Sequence, residues 1–382
     1  MTLTQTAPEP QRQLGDPETG GTLIIDLNAI EENFRTLTRL LVPSECAAVV
    51  KANAYGLGLE PVTAKLAKAG CRTFFVADIA EARRVRACTH DVTVYVLNGF
   101  SPEAPAVFAE LNLHPVINTL MELAEWDAFV ATSGWRGGAA LHVDTGMNRL
   151  GISVAEAGAL ASRLQNQTHG FTLLMSHLAC AELPDHPLTA RQIRQFRELR
   201  LLYQGLPASL ANSSGIFLGE RAHFDMARPG AALYGINPTP AGANPMRNTV
   251  ELTGRILQLR QLRQGETVGY GGAWTARRAS RIAVASLGYA DGLLRSASGT
   301  DAKRGGSAVI AGKRCPIAGN ISMDLVCIDV TELGEDAVHR GDFATFIGEQ
   351  IPLDEVAESA GTIGYEILTR LAPRCHLVYR GI

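Results

Sequence analysis

Lys51 has the sequence setting of a chemically active amine. It ends an apolar run, 46–50, and precedes a loop of small residues that contains Tyr55 and Gly56 and leads to Pro61. The valines of this run are typical of a buried parallel strand, so the sequence predicts Lys51 at the carboxyl end of a strand and Pro61 at the first position of a helix. Apolar surroundings lower the pKa of an amine toward the range in which it is a nucleophile or base. A Schiff-base lysine and a solvent-exposed lysine both fit this segment by itself.

The segments that must position Lys51 alternate between strands and helices. A strand at 22–26 leads into a helix at 27–41 with Asp26 as its cap, and eight apolar strand candidates follow at 46–50, 73–77, 92–97, 114–117, 139–143, 171–176, 207–211 and 223–227. Helix starts are indicated by Asp, Ser or Thr with Glu or Gln three residues later: Asp78 with Glu81, Thr119 with Glu122, Ser153 with Glu156, and Thr189 with Gln192. Eight strands alternating with helices over roughly 200–250 residues predict a (β/α)₈ barrel.

Polar residues follow several of these strands and would share one rim of the barrel. After strands one, five, six, seven and eight, in this order, come Lys51, 144–149, His177, Ser213 and 228–230. Active sites of such barrels lie at this rim, and the loops after strands seven and eight often bind a phosphate. Ser213 at the start of a short helix, and the backbone N–H groups of Gly230 and Ala231, suit an anion. The sequence therefore predicts a phosphate beside an amine.

After about residue 250 the pattern changes to short apolar runs separated by glycines. They include RILQL, RIAVASLGYADG, LVCIDV and DFATFIG, with one helical stretch at about 353–371. This pattern predicts a mostly antiparallel β domain. The first residues, rich in Pro, Gln, Gly and Thr, have neither the basic start nor the apolar centre of a signal peptide. The predicted organisation is a disordered tail at 1–21, the barrel at 22–250 and the β domain at 251–382.

The composition is that of a globular protein with a small-molecule substrate. The 382 residues are 46% hydrophobic and 19% charged, and the net charge of −3 without a dense basic cluster argues against a nucleic-acid or membrane partner. Seven scattered cysteines without CxxC spacing predict neither a disulfide framework nor a metal site. No segment reaches the ~20 apolar residues of a transmembrane helix. We therefore expect a cytoplasmic protein.

Seven motifs carry a resemblance that covers the chain from about Thr22 to its end. In chain order they are AVVKANAYGLG, HVDTGMNRLG, the serine after Ala211 and Asn212, ARPGAALYG, VGYGG, LGYADG and GNISMD. Together they resemble alanine racemase. The resemblance implies a (β/α)₈ barrel followed by a β domain, a homodimer with an active site shared between subunits, and pyridoxal phosphate held as a Schiff base on Lys51. It also implies an isomerase that interconverts L-alanine and D-alanine, usually to supply D-alanine for the cell wall.

The resemblance assigns the two catalytic bases to Lys51 and Tyr270. Lys51 would act on the face that handles D-alanine, and Tyr270 would act on L-alanine from the other subunit. Racemisation removes a proton from one face of the α-carbon and delivers one to the other, so two opposed groups suit it. A phenol is a weak base at neutral pH unless positive neighbours stabilise its anion, and His177 and Arg228 would supply that field. By its sequence alone, Tyr270 also fits a half-buried strand aromatic.

Further roles follow from the same resemblance. Arg228 would contact the pyridine nitrogen, which stays unprotonated because a guanidinium keeps its proton, and the cofactor becomes a weaker electron sink. His177 would lie beside the cofactor ring. Arg149 would hold the phenolic oxygen and, with the Met323 backbone N–H, the substrate carboxylate. The residues around the phosphate would be Tyr55, Ser213, Gly230, Ala231 and Tyr365; those at the entrance would be Tyr289 and Asp324.

His142 departs from the family pattern. Many relatives carry at this position a lysine modified to a carbamate, which steadies the arginine equivalent to Arg149. Histidine cannot carry that modification in the same way, so the negative charge is absent and the orientation of Arg149 is open. A chloride, a water or a nearby carboxylate could replace it.

Three other functions fit parts of the sequence. The motifs hardly distinguish an alanine racemase from a racemase of serine or basic amino acids. Size selection by an apolar pocket contributes only about 1–3 kcal/mol per methylene. An amino-acid decarboxylase of similar architecture would carry a glycine-rich phosphate loop, where this chain has ARPG, and a cysteine near the substrate. A non-catalytic pyridoxal phosphate carrier would need neither the β domain nor Tyr270 and Met323.

Overall fold

The computed structural model describes residues 18–135, 137–164, 170–371 and 374–382. Most of the predicted tail, residues 1–17, lies outside the described residues. The described chain forms two compact units, one of residues 26–249 with 380–382 and one of residues up to 25 with 250–379. Its first strand, β1 (Gly21–Asp26), precedes the elements of the first unit.

The first unit is a closed barrel of parallel strands. Its strands are β2 (Glu45–Cys46), β3 (Ala48–Val49), β4 (Thr73–Val76), β5 (Thr93–Val96), β6 (Leu113–Ile117), β7 (Ala139–Asp144), β8 (Ile152–Ser153), β9 (Phe171–Met175), β10 (Ala208–Ser209) and β11 (Met226–Ala227). Its helices are α1 (Leu27–Leu41), the short turn α2 (Lys51–Tyr55), α3 (Leu59–Lys68), α4 (Ile79–Cys88), α5 (Pro105–Glu110), α6 (Leu120–Ser133), α7 (Val154–Leu164), α8 (Pro187–Arg200), α9 (Ser213–Ile216) and α10 (Glu220–His223), followed by a 3₁₀ turn at Ala231–Tyr234.

The barrel closes through its first strand. β2 pairs with β11 and β3 pairs with β4, and the intervening Ala47 donates its N–H to the Ala227 carbonyl at 3.0 Å. β2 and β3 are therefore one physical strand with a neighbour on each side, and the predicted (β/α)₈ barrel is confirmed. β8 is an additional short strand beside β7. Parallel strands place their carboxyl ends on one rim, which is where Lys51 begins its turn.

Helix starts agree with the sequence in most places. The side chains of Asp26, Asp78 and Thr119 accept N–H groups of the first turns of α1, α4 and α6, as predicted. Ser153 and Glu156 form the reciprocal capping box at α7.

Two helix starts were predicted wrongly. α8 begins at Pro187 with His186 as its cap, and the Thr189 hydroxyl donates instead to the Cys180 carbonyl at 2.9 Å. Pro187 favours a helical backbone at the first position, so the helix begins three residues earlier than the capping pattern indicated. α3 begins at Leu59, so Pro61 is its third residue rather than its first.

The second unit is built mainly of antiparallel strands. Besides β1 they are β12 (Val250–Leu262), β13 (Thr267–Val268), β14 (Trp274–Thr275), β15 (Ser280–Ala285), β16 (Ser307–Ile310), β17 (Lys313–Pro316), β18 (Val326–Asp329), β19 (Phe343–Ile347) and β20 (His376–Arg380). The helices are α11 (Leu353–Ala360) and α12 (Gly364–Arg370), with 3₁₀ turns at Tyr270–Gly272, Tyr289–Asp291, Arg295–Ala297 and Glu335–Ala337. The main sheet has the order β17-β16-β19-β12-β1-β20, with β15 and β18 extending from β12.

β1 belongs to the sheet of the second unit, although the sequence grouped residues 22–26 with the barrel. It pairs antiparallel with β12, with Leu23 opposite Leu252. The pairing buries Leu23 and Ile25 to 0% exposure, and removal of such apolar side chains from water is favourable. The pairing joins residues more than 200 positions apart, which no local pattern indicates. Among the described residues, no helix has the length and apolar character needed to cross a lipid bilayer.

Candidate active site

Lys51 begins an unusual turn at the carboxyl rim of the barrel. The next four residues, Ala52 to Tyr55, have φ of 54°, 56°, 53° and 56°, and the turn ends at Gly56 with φ of 87°. The N–H of Ala54 donates to the Val50 carbonyl at 2.9 Å, and the N–H of Gly56 donates to the Ala52 carbonyl at 2.8 Å. The turn is thus one turn of left-handed helix. It costs roughly 1–2 kcal/mol per residue that carries a Cβ, so the rest of the structure must hold it.

The Lys51 amine lies in a cationic and partly desolvated environment. Desolvation lowers its pKa, the charge of Arg149 lowers it further, and the carboxylate of Glu81 opposes both. Among the described residues, no carboxylate lies within ion-pair distance of the amine. A lowered pKa increases the deprotonated fraction at neutral pH, which is the form that attacks a carbonyl or accepts a proton.

Arg228 is buried at the same rim, with 5% of its surface exposed. Its two terminal nitrogens donate to the Ser209 hydroxyl and to the Ser176 carbonyl, and its guanidinium lies 5.8 Å from the centre of the Phe75 ring. Burial lowers the pKa of Arg228 to about 9. The guanidinium therefore stays charged at neutral pH and is held in one orientation.

His177 follows β9 in a loop that a buried glutamine holds in place. Gln192 donates to the His177 carbonyl at 2.8 Å and accepts the Ala179 N–H at 2.9 Å, and it is 0% exposed. The sequence assigned Gln192 to helix capping, so this role was missed. The capping pattern gave no indication that the side chain faces the barrel.

The pKa of His177 lies well below its usual value because of burial and of the charges of Arg228 and Arg149. The imidazole is consequently neutral at neutral pH. This direction argues against the expectation that His177 adds positive charge to the site, because a desolvated ring beside cations disfavours a further proton. Arg228 supplies that charge.

Ser213, Gly230 and Ala231 form a small cradle beside Lys51's barrel rim. The Ser213 hydroxyl oxygen is buried and accepts the N–H groups of Gly230 and Ala232, both at 3.1 Å. Neither its hydroxyl proton nor the Ala231 N–H donates to a described residue. A Cβ built on Gly230 would lie 2.2 Å from the Tyr55 hydroxyl oxygen. The cradle therefore offers unused donors in a space closed to a larger residue, which fits an anion.

Tyr55 is fixed against this cradle by an aromatic neighbour. Its ring centre lies 4.6 Å from that of Tyr234, whose hydroxyl donates to the Val49 carbonyl at 2.9 Å. Tyr55 is buried at the end of the left-handed turn. Lys51 and Tyr55 are thus the first and last residues of the turn α2.

Arg149 is presented by a loop that Asp144 organises. The Asp144 carboxylate accepts the N–H groups of Gly146 and Met147 at 2.8 Å and that of Asn148 at 2.9 Å. Arg149 is exposed and pairs with none of the described carboxylates. Its charge nevertheless lowers the pKa of Lys51 and of His177. It is a forked cation available to an anion at the rim.

His142 is buried within β7 and is held by Asn118. Its Nδ1 lies 2.7 Å from the Asn118 Oδ1, and the Asn118 amide donates to the Val116 carbonyl at 2.8 Å. Because the amide nitrogen is occupied by carbonyls, Oδ1 is the acceptor and Nδ1 carries the proton. Burial and the charge of Arg228 lower the pKa of His142 to about 4. His142 therefore provides a neutral ring where the family pattern expects a charge.

The titration of His142 should make the protein less stable in weak acid. Its folded pKa of about 4 lies below the ordinary 6.5, so the unfolded chain binds the proton first. This contribution to stability is complete above pH 6.5 and is lost as pH falls toward 4. Between pH 7 and pH 5, we expect the free energy of unfolding of the wild type to fall by about 2 kcal/mol more than that of His142→Gln.

Denaturant unfolding of the wild type, His142→Gln and His90→Gln at the two pH values tests this expectation. His90 is exposed, and its replacement should leave the pH dependence unchanged. Equal pH dependence in all three proteins would contradict the buried neutral state of His142.

The predicted residues of the second unit are also brought together. The Tyr270 carbonyl accepts the Asn320 side-chain N–H at 2.9 Å, and the N–H groups of Tyr289 and Ala290 donate to the carbonyls of Ser322 and Met323, both at 3.0 Å. The motifs VGYGG, LGYADG and GNISMD thus form one cluster, which local sequence could not indicate.

Two other predicted residues of this unit have separate settings. Asp324 accepts from Arg374 at 2.8 Å, and Arg374 also lies 3.3 Å from Asp291. Tyr365 lies on α12 and is 40% exposed. No group of three or more His, Cys, Asp or Glu side chains within the described ranges is arranged to hold a metal ion.

The first unit therefore combines an amine, several cations and a cradle of unused donors. The cations Lys51, Arg149 and Arg228 outnumber the nearby carboxylates of Glu81 and Asp144. Such a concentration of charge favours an anionic ligand, and the amine suits covalent attachment of an aldehyde.

Comparison with known proteins gives matches along both units. Residues 25–238 match the family described as alanine racemase, N-terminal domain, and residues 249–379 match alanine racemase, C-terminal domain. An alanine racemase of Methylobacterium nodulans is 51% identical over 355 residues, which are 93% of this chain and 95% of the relative.

Solved structures give the same result. The crystal structure of alanine racemase from Bartonella henselae with covalently bound pyridoxal phosphate has a TM-score of 0.88 and 37% identity, and covers 94% of this chain and 99% of its own. The biosynthetic alanine racemase from Pseudomonas aeruginosa has a TM-score of 0.87 and 34% identity, with coverage of 95% and 99%.

Proposed function

The chain belongs to the alanine racemase family, and we propose that it interconverts L-alanine and D-alanine as a pyridoxal phosphate-dependent isomerase. The observation that carries the proposal is the partly desolvated Lys51 amine at the same barrel rim as the cradle of Ser213, Gly230 and Ala231. An aldehyde that carries a phosphate needs both features, the amine for attachment and the donors for the anion. The family membership supplies the substrate.

The residues that would hold pyridoxal phosphate fit it in kind and charge. Lys51 would bind its aldehyde, and Tyr55, Ser213, Gly230, Ala231 and Tyr365 would surround its phosphate. Arg228 would face the pyridine nitrogen, Arg149 the phenolic oxygen, and His177 would lie beside the ring. When bound, the cofactor supplies an electron sink conjugated to the α-carbon of the substrate.

Two side chains would move the proton. Lys51, displaced by the substrate amine, would remove the α-proton of D-alanine and return one to the same face. Tyr270 would do the same for L-alanine on the opposite face. Arg149 and the Met323 N–H would hold the substrate carboxylate, with Tyr289 and Asp324 at the entrance and His142 in support.

Arg228 would limit side reactions. Its guanidinium, fixed by the Ser176 carbonyl and the Ser209 hydroxyl, stays charged and does not release a proton at neutral pH. A pyridine nitrogen opposite it would stay unprotonated, so negative charge would remain near the α-carbon rather than spread over the ring. Reprotonation at the α-carbon, which gives racemisation, would be favoured over transamination.

A homodimer with a shared active site would explain the exposed residues of the second unit. Tyr270 is 69% exposed, Met323 52% and Tyr289 41%. Exposed aromatic and apolar side chains in one cluster favour a surface that another chain covers. The partner's Tyr270 would then reach the site of this chain.

We also place the enzyme in the cytoplasm, which is supported by the absence of disulfides among the seven cysteines. We propose a role in D-alanine biosynthesis for the cell wall.

Chiral chromatography of L-alanine and of L-serine, each incubated with the purified protein and pyridoxal phosphate, tests the function. L-alanine should reach an equal mixture of enantiomers, with serine much slower. Faster conversion of serine or of basic amino acids would favour a broader racemase. If the cofactor binds but neither amino acid is converted to its D-enantiomer, the racemase proposal is replaced by a decarboxylase or a carrier. Release of carbon dioxide distinguishes those two.

The cradle predicts a specific effect of Gly230→Ala. The added methyl would lie 2.2 Å from the Tyr55 hydroxyl oxygen, and Tyr55 cannot shift freely because its ring packs on Tyr234. Overpacking of this kind costs about 1–3 kcal/mol, and a loss of that size in phosphate binding would raise the dissociation constant of the cofactor about 5- to 150-fold.

Fluorescence titration of the apoprotein with pyridoxal phosphate measures this effect. Gly158→Ala is the matched control, because Gly158 lies on α7 with no atom within 4 Å of the added methyl. Equal affinity of the two variants would show that the cradle does not hold the phosphate.

A further inference from the structure

The left-handed turn after Lys51 is held from outside by helix α4. Its four residues from Ala52 to Tyr55 each carry a Cβ and each lie at positive φ. Their own sequence disfavours that conformation, and such backbone persists only where the surrounding structure determines it. Two side chains of α4, Glu81 and Arg84, make the contacts that do so.

Glu81 is diverted from its own helix to this turn. Its N–H donates to the Asp78 cap at 3.0 Å, and in a capping box its carboxylate would return to the N–H of the capping residue. Instead, Oε1 accepts the Asn53 N–H at 3.1 Å and Oε2 accepts the Ala77 N–H at 2.9 Å. A charged acceptor thus bonds to the backbone two residues after Lys51.

The side chain of Asn53 is held as firmly as its backbone. Its Oδ1 accepts from Arg84 at 2.6 Å and from the Leu59 N–H at 3.1 Å. Arg84 in turn pairs with Glu60 at 2.6 Å. The turn is therefore tied to both α3 and α4.

Glu81 also supplies the negative charge among the groups that act on Lys51. The others are Arg149 from the loop after β7 and His177 after β9, with Arg228 beside His177. The charge of Arg149 disfavours protonation of the Lys51 amine, and the Glu81 carboxylate favours it.

We infer that Glu81 is a positioning residue for Lys51: by holding the Asn53 N–H it fixes the left-handed turn and the direction of the amine, and its charge offsets the neighbouring cations. The inference rests on the proposed function, because it takes Lys51 as the anchor of the cofactor and the base for D-alanine. Glu81 touches neither the substrate nor the cofactor in this account.

Glu81→Gln is the variant that tests the inference. It keeps the size of the side chain, loses the charge, and offers one carbonyl oxygen where two oxygens accepted. Glu156→Gln is the matched control, since Glu156 occupies the same position in the capping box of α7 and bonds to Ser153 instead of to the turn. Both loaded variants are compared with wild type by visible circular dichroism of the bound cofactor and by kinetics.

We expect the circular dichroism per unit absorbance to change in Glu81→Gln and to stay at the wild-type value in Glu156→Gln. The value of kcat/KM should fall by about 10²-fold in Glu81→Gln. It must fall equally in both directions, because the equilibrium constant between enantiomers is one. The isotope effect with α-deuterated D-alanine should rise and that with α-deuterated L-alanine should fall, because the step at Lys51 becomes slower.

Unchanged circular dichroism, or a fall in kcat/KM with both isotope effects unchanged, would overturn the inference and leave Glu81 as a helix cap. If thermal unfolding shows that Glu81→Gln is not folded, Glu81→Asp is measured in the same way. It keeps the charge with a shorter reach, so the same dichroism change without a fold defect supports positioning. A wild type that binds the cofactor without racemising alanine refutes the proposed function separately, since the dichroism comparison needs no substrate turnover.

Discussion

Lys51→Ala should lower the racemisation rate of either enantiomer by about 10⁴-fold or more. The variant loses the amine that anchors the cofactor and the base that serves D-alanine. The surrounding charges of Arg149 and Arg228 remain, so the phosphate cradle should still bind pyridoxal phosphate without covalent attachment. The measurement is chiral chromatography, together with borohydride reduction and mass spectrometry, which should find the label on Lys51 of wild type and not in the variant.

Lys68→Ala provides the control for this experiment. Lys68 is exposed on α3, and its replacement should change neither labelling nor rate. Covalent cofactor at another lysine of the wild type, or substantial racemisation by Lys51→Ala, would contradict the assignment of Lys51.

Tyr270→Phe should lower racemisation by about 10²- to 10⁴-fold while leaving the cofactor bound. The phenylalanine keeps the aromatic ring and removes the hydroxyl that would handle the proton of L-alanine. Lys51 should still work on its own face, so D-alanine should exchange its α-proton with solvent without inversion. Proton NMR in D₂O measures this exchange directly.

The two variants are each other's control. Lys51→Ala, supplied with pyridoxal phosphate, should show the reverse preference, with whatever exchange persists confined to L-alanine. Exchange of both enantiomers at equal rates in Tyr270→Phe would mean that the tyrosine is not the second base.

The sequence predicted those parts of the fold that depend on local patterns. The strand before Lys51 was recognisable from its valines, and the caps Asp26, Asp78 and Thr119 from side chains that bond within one helical turn. The barrel followed from the number and alternation of its strands. Contacts between distant segments were not accessible in this way, which is why β1 was grouped with the barrel although it pairs with β12.

The site was predicted in part by chemistry and in part by resemblance. Residue type and position at a strand end pointed to Lys51, Ser213 and Gly230. The residues that support them were missed, because their roles arise from long-range hydrogen bonds. Gln192 holds the His177 loop from 15 residues away, and Asn118 holds His142 from 24 residues away.

The left-handed turn was the least predictable feature. Ala52 to Tyr55 carry no glycine, and their sequence gives no reason to expect four consecutive residues at positive φ. Local preference and observed backbone disagree there because the contacts from α4 outweigh it. Such disagreement is typical of functional sites, and here it occurs directly after the proposed anchor lysine.

The central claim is that two different groups act on opposite faces of alanine, and one measurement tests it most directly. Wild-type enzyme is incubated with L-alanine in D₂O, and the first few per cent of product is analysed by chiral chromatography with mass spectrometry. The account predicts that the D-alanine formed carries deuterium at the α-carbon, because its proton comes from a group other than the one that accepted the substrate proton. D-alanine that retains the substrate proton would show that a single base carries it between the faces, and would contradict the account.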